Sequence, residues 1–72
     1  MMRVKPGDLV LIFDPVRPSG GSGVRGVHIV SEVREDEVIA RPLDRLDLNN
    51  RLPLTAIRAV WPASYAAEDL FR

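Results

Sequence analysis

The sequence predicts a mainly β fold: a small antiparallel barrel of four to five strands with a short C-terminal helix. Three observations predict it. The apolar stretches are short and rich in branched and aromatic residues, which suits strands better than helices. Turn formers (Gly, Pro, Asn and clustered acids) separate those stretches. The clearest helix-start chemistry follows Pro62, where Ser64 can cap the segment Tyr65 to Phe71.

The elements follow in order. Lys5-Pro6-Gly7-Asp8 is a turn, because Pro presets one backbone angle and Gly tolerates the next. Leu9 to Phe13 is a strand, apolar on both faces and so expected to be central and well covered. Asp14 to Gly23 holds two prolines and three glycines and is a loop, with linker composition from Ser19 to Gly23. Val27 to Val33 alternates, with Val27, Ile29 and Val33 on one face and His28, Val30 and Glu32 on the other. Arg34 to Glu37 is a polar turn and Val38 to Pro42 the returning strand. Pro42 should end the pairing. Leu43 to Asn50 reads as a loop with one helical turn. Arg51 to Leu54 is a short edge strand, Thr55 to Arg58 a 3₁₀ turn and Ala59 to Trp61 the last strand. Leu11, Ile29 and Ile57 are the expected core.

Length and charge narrow the function. Seventy-two residues allow one domain, with 1–61 as the barrel and 62–72 as a helical tail packed on it or on a partner. Such a chain buries only ~60% of its unfolded surface, so its core must be efficient or shared, and self-association or a protein partner is expected. Ten basic and ten acidic residues cancel, which weighs against nonspecific nucleic-acid gripping as the main task. With no Cys and one His, the chain has no thiolate or multi-histidine metal site, and no metal or other cofactor is expected. No apolar run approaches the ~20 residues of a membrane span. The start has no apolar signal segment, so a cytoplasmic protein with no membrane association is expected.

Two resemblances add to this. Val4 to Ile12 resembles the first strand of SH3-like and KOW-like modules and of the C-terminal barrels of retroelement integrases. Leu52 to Arg58 stands where those barrels carry a leucine-proline segment. The resemblance implies an SH3-like barrel and, from the integrases, DNA binding, although those barrels are basic and this chain is neutral. Gly7-Asp8-Leu9-Val10, Asp14-Pro15, the Gly-rich loop, Arg25-Gly26 and Val27 to Ser31 are also similar to the MazF-type ribonuclease toxins. That similarity implies RNA cleavage by Arg25 with Thr55, but Gly26 replaces the family's proline and the chain is shorter than those toxins.

The candidate sites are few. Arg17 and Arg25 flank the Gly-rich loop, and no acid lies between Asp14 and Glu32, so they could receive a phosphate or carboxylate. His28 is the one side chain whose ordinary titration lies near neutrality. It reads as an exposed strand residue, with a general base or RNA contact as the alternative. Glu35-Asp36-Glu37 reads as a solvated hairpin tip, because neighbouring strand side chains point apart. Trp61, Tyr65 and Phe71 are three of the four aromatics and, with Leu70, could dock a partner or pack on the barrel. The preferred function is a noncatalytic SH3-like interaction module, an accessory or structural protein from a phage or mobile element. The alternatives are nucleic-acid binding through Arg17 and Arg25, and a degenerate toxin-like ribonuclease.

Overall fold

The structure is a computed structural model and describes residues 3–15 and 23–63. Five strands form one antiparallel sheet: β1 (Leu9–Asp14), β2 (Val24–Val33), β3 (Glu37–Pro42), β4 (Asn50–Pro53) and β5 (Ile57–Trp61). Their order across the sheet is β4-β3-β2-β1-β5. A 3₁₀ turn, Leu54–Ala56, joins β4 to β5. No helix of the described residues is long and apolar enough to cross a membrane.

Local chemistry sets the entry to β1. Pro6 and Gly7 occupy the centre of a turn closed by the Asp8 amide on the Lys5 carbonyl at 3.1 Å. Gly7 has φ +93°, the left-handed region that a type II turn demands at this position. Asp8 is buried, and its carboxylate accepts the Lys5 amide at 2.9 Å and the Ala63 amide at 3.3 Å. One side chain thus ties the start of β1 to the end of β5.

Two register slips bend the sheet. On β2, Ser31 is the extra residue between the pairs Val30–Ala40 and Glu32–Ile39, and its hydroxyl donates to the Ile39 carbonyl at 2.9 Å. On β5, Arg58 is the extra residue between Leu11–Ala59 and Ile12–Ile57. Such bulges increase local twist and bend the strand that carries them. The core lies on one face and gathers Val10, Ile12, Val30, Val38, Ala40, Leu52, Ala56 and Ile57 from every strand and the 3₁₀ turn. Val10, Val38, Ala40 and Leu52 are fully buried without a second layer among the described residues. Leu52 of β4 and Ala56 of the 3₁₀ turn join Val10 and Ile12 of β1 in one cluster, so the sheet curls over its own apolar face.

Several expectations need correction. The sheet curls but is not closed into a barrel, since β4 and β5 remain its two edges. β4 offers only four residues and ends in Pro53, which has no amide hydrogen to donate. Of the expected core, Ile57 is buried, but Ile29 is half-buried and Leu11 is 37% exposed. The buried parity on β1 and β2 is Val10, Ile12, His28 and Val30, the opposite of the one expected. β1 is interior in the strand order, yet Leu11 and Phe13 on its outward face are exposed. Leu43 to Asn49 forms two successive turns, closed by Arg45 on Pro42 and Leu48 on Arg45, with no helix. The 3₁₀ turn comes one residue earlier than expected, and β5 begins at Ile57. The expected C-terminal helix, from Tyr65 to Phe71, and most of the linker-like stretch lie outside the described residues.

Candidate functional site

The outward face of β5, β1 and β2 carries an apolar stripe bordered by arginines. β1 is apolar at both parities, so turning Val10 and Ile12 inward leaves Leu11 and Phe13 pointing out. Phe13 is 41% exposed. Register places Val27 and Ile29 of β2 and Ala59 and Trp61 of β5 on the same surface, all half-buried. Leu9 shares that parity but is buried, flanked by Ile29 and Trp61.

Arg25 and Arg58 stand on either side of Phe13. Arg25 is its cross-strand partner on β2, and Arg58 is the bulged residue of β5. Their guanidinium carbons lie 6.0 Å and 5.8 Å from the ring centroid. At this exposure each contact is worth about 0.5–1 kcal/mol, enough to orient a long side chain. Among the described residues neither arginine has a carboxylate partner, whereas Arg34, Arg45 and Arg51 all do. Arg41, opposite Ile29, borders the stripe on the β3 side and donates to Asn49 Oδ1 at 3.1 Å. Among the described residues this face combines exposed apolar area with arginines that no carboxylate pairs. It can bind a flat or apolar group and an anion at once.

The sequence-derived candidates are scattered. His28 is 1% exposed, which corrects its reading as a surface residue. Its Nδ1 lies 3.0 Å from the Gly26 carbonyl and its Nε2 3.4 Å from Asn50 Nδ2. Asn50 can only donate there, so the network assigns the proton to Nδ1 and acceptor duty to Nε2. With both nitrogens engaged and no exposed edge, the ring braces β2 against β4. Thr55 is exposed on the 3₁₀ turn, and no hydrogen bond among the described residues joins it to Arg25. Trp61 joins the outward stripe. Arg17, Tyr65, Leu70 and Phe71 lie outside the described residues.

The acidic hairpin tip is partly consumed by ion pairs. Glu37 bonds Arg51 at 2.7 Å and faces Arg34 at 3.6 Å, and Arg34 also reaches Glu32 at 3.2 Å. The Arg51 hydrogen bond, with the charges of Arg51 and Arg34, holds the Glu37 carboxyl below the usual carboxylate range; partial desolvation opposes this. Arg45 grips Asp47 with two hydrogen bonds of 3.1 and 3.0 Å, which lowers the Asp47 carboxyl in the same way. Among the described residues no three His, Asp or Glu side chains are grouped to hold a metal. A shallow cleft of about 350 Å³ lies between Arg3, Lys5, Asp8, Val60 and Pro62, at the point where the chain leaves β5.

Sequence reading missed Leu11, Phe13 and Arg58. A signal for the first two was available, because an apolar strand at both parities can show one face to solvent when no second layer covers it. Arg58 had none, since its direction is set by the bulge. No family model matches the chain, and neither characterised proteins nor solved structures give a match.

Proposed function

We propose that the protein is a noncatalytic interaction module, an SH3-like β domain that docks a protein partner or a second copy through the outward face of β5, β1 and β2. The observation that carries this is the exposure of Leu11 and Phe13 at the centre of that face. Isolated exposed apolar residues are ordinary, but a contiguous stripe rimmed by charge marks contact surfaces. The SH3-like reading is supported by the long connection after β1, the single curled sheet and the 3₁₀ turn before β5. A C-terminal helix completes that reading. Burial of His28, which removes the natural general base from the surface, supports a noncatalytic role. The module fits a cytoplasmic accessory protein of a phage or mobile element.

A second reading is single-stranded nucleic-acid binding, favoured by Phe13 between Arg25 and Arg58. An exposed ring stacks bases, and guanidiniums take phosphates. A third is a degenerate ribonuclease using Arg25.

Selection of random displayed peptides on the full chain, with Leu11→Asp as control, tests the first reading. Peptides should be enriched whose binding falls ~30-fold on the control, the loss expected for one contact residue worth ~2 kcal/mol. Equal binding to both proteins overturns it. A salt-dependent shift of single-stranded DNA or RNA without peptide enrichment selects the second reading, and RNA cleavage lost in Arg25→Ala selects the third.

A further inference from the structure

We infer that the outward stripe is the seat of the chain's own C-terminal segment, residues 64–72. The inference rests on the reading of that face as a docking surface and names its resident occupant. The first argument is position. The described chain ends at Ala63, whose amide is bonded to Asp8, the residue before Leu9. Trp61 pairs with Leu9 at the same end of the stripe. From Ala63, beside Asp8, Phe13 is five residues along β1, or ~17 Å. Nine residues span ~13 Å as a helix, which passes Leu11, and ~30 Å when extended, so the segment is long enough to cover the stripe.

The second argument is charge and amphipathicity. At ~100° per residue, Ala66, Ala67, Leu70 and Phe71 fall in one sector ~140° wide. Glu68 and Asp69 fall outside it, each ~130° from its centre and on opposite sides. The segment thus carries an apolar ridge with one carboxylate on each flank. The stripe carries the complement: Phe13 and Leu11 in the middle, Arg25 on the β2 side and Arg58 on the β5 side. Those two arginines lack carboxylate partners among the described residues, and the segment supplies two. Seated this way, Leu70 and Phe71 cover the exposed apolar area while the acids close the ion pairs. A partner using the same face must displace the segment, so it should itself combine acids with large apolar side chains.

The chain has no cysteine, which makes a spin label at Arg72→Cys unique. In the full-length labelled protein, amide signals of Leu11, Phe13, Arg25, Val27 and Arg58 should lose most of their intensity, while those of Val38 and Leu52 in the core keep theirs. Glu68→Lys with Asp69→Lys should restore the lost signals, and adding Arg25→Glu with Arg58→Glu should quench them again. Core shifts at Val38 and Leu52 report that each variant remains folded. Even quenching over the surface, or quenching confined to the cleft beside Arg3 and Lys5, overturns the inference. So does quenching seen only when spin-labelled chains are mixed with isotope-labelled ones, which would assign the seat to a second copy. Quenching indifferent to all four charge reversals overturns it as well. Peptide enrichment that Leu11→Asp abolishes would leave the docking face standing if the segment proves to lie elsewhere.

Discussion

Residue positions along β1 separate burial from hydrophobicity. Ile12 and Leu11 are adjacent and nearly equal in apolar content, yet Ile12 is buried in the core and Leu11 faces out. Ile12→Ala should therefore cost ~2–5 kcal/mol by chemical denaturation. Leu11→Ala should cost less than Ile12→Ala, because Leu11 lies on the outward face, outside the core cluster. Equal losses would show that Leu11 is packed as tightly as the core. The buried imidazole gives a second test at this scale. Asn50→Ala removes the partner of His28 Nε2 and leaves a buried acceptor unpaired, which should cost ~1–3 kcal/mol. A stability unchanged by Asn50→Ala would mean that another donor reaches the ring.

At the scale of elements, the loop base and the β2–β3 hairpin are the informative places. A Cβ on Gly23 would run into the Asp14 carbonyl oxygen and come within 2.8 Å of the Pro15 backbone. Backbone atoms cannot give way as a side-chain tip can, so Gly23→Ala should destabilise by ~1–3 kcal/mol through overpacking. An Ala variant that melts with the parent would place that loop base further apart. In the hairpin, Glu37 links β3 to Arg51 of β4 and to Arg34 of the turn. Its carboxyl is held below the usual range, so the pairing stabilises the fold fully above the unfolded-state value. That contribution disappears as pH falls through the lower, folded-state value. Glu37→Gln should lower stability at neutral pH and flatten its acid dependence, and carbon-detected titration of Glu37 should show the depressed midpoint. An ordinary midpoint would mean the Arg51 bond is not held in solution.

For the whole molecule, charge balance governs colloidal behaviour more than fold. Ten positive and ten negative side chains leave no net repulsion near neutrality, and the isoelectric point is about 6.6. The two sheet edges then meet no long-range barrier to association. Solubility should be lowest near that pH and rise well above it, as measured by light scattering across a pH series. A flat profile would show that the edges are already covered in the single chain. The curled sheet also concentrates risk: one contiguous core holds residues from every strand, so no strand can be lost without opening it.

Local pattern was enough for the class and the elements. Alternation, branched residues and turn formers are local, and they set a mainly antiparallel β chain with strands near their observed places. The turn at Pro6-Gly7 and the 3₁₀ turn before the last strand were legible for the same reason. Which face of each strand is buried was decided only by tertiary structure. In Leu9 to Phe13 both parities are apolar, so the pattern is silent, and one step of register turns every side chain over. In β2, Val27 and Ile29 look like a core face, yet His28 and Val30 take it, because Asn50 arrives from β4 to satisfy the imidazole. The Arg25–Phe13–Arg58 cluster joins three strands through a bulge. Its residues are far apart in the chain, and only the pairing of β1 with both β2 and β5 brings them onto one face.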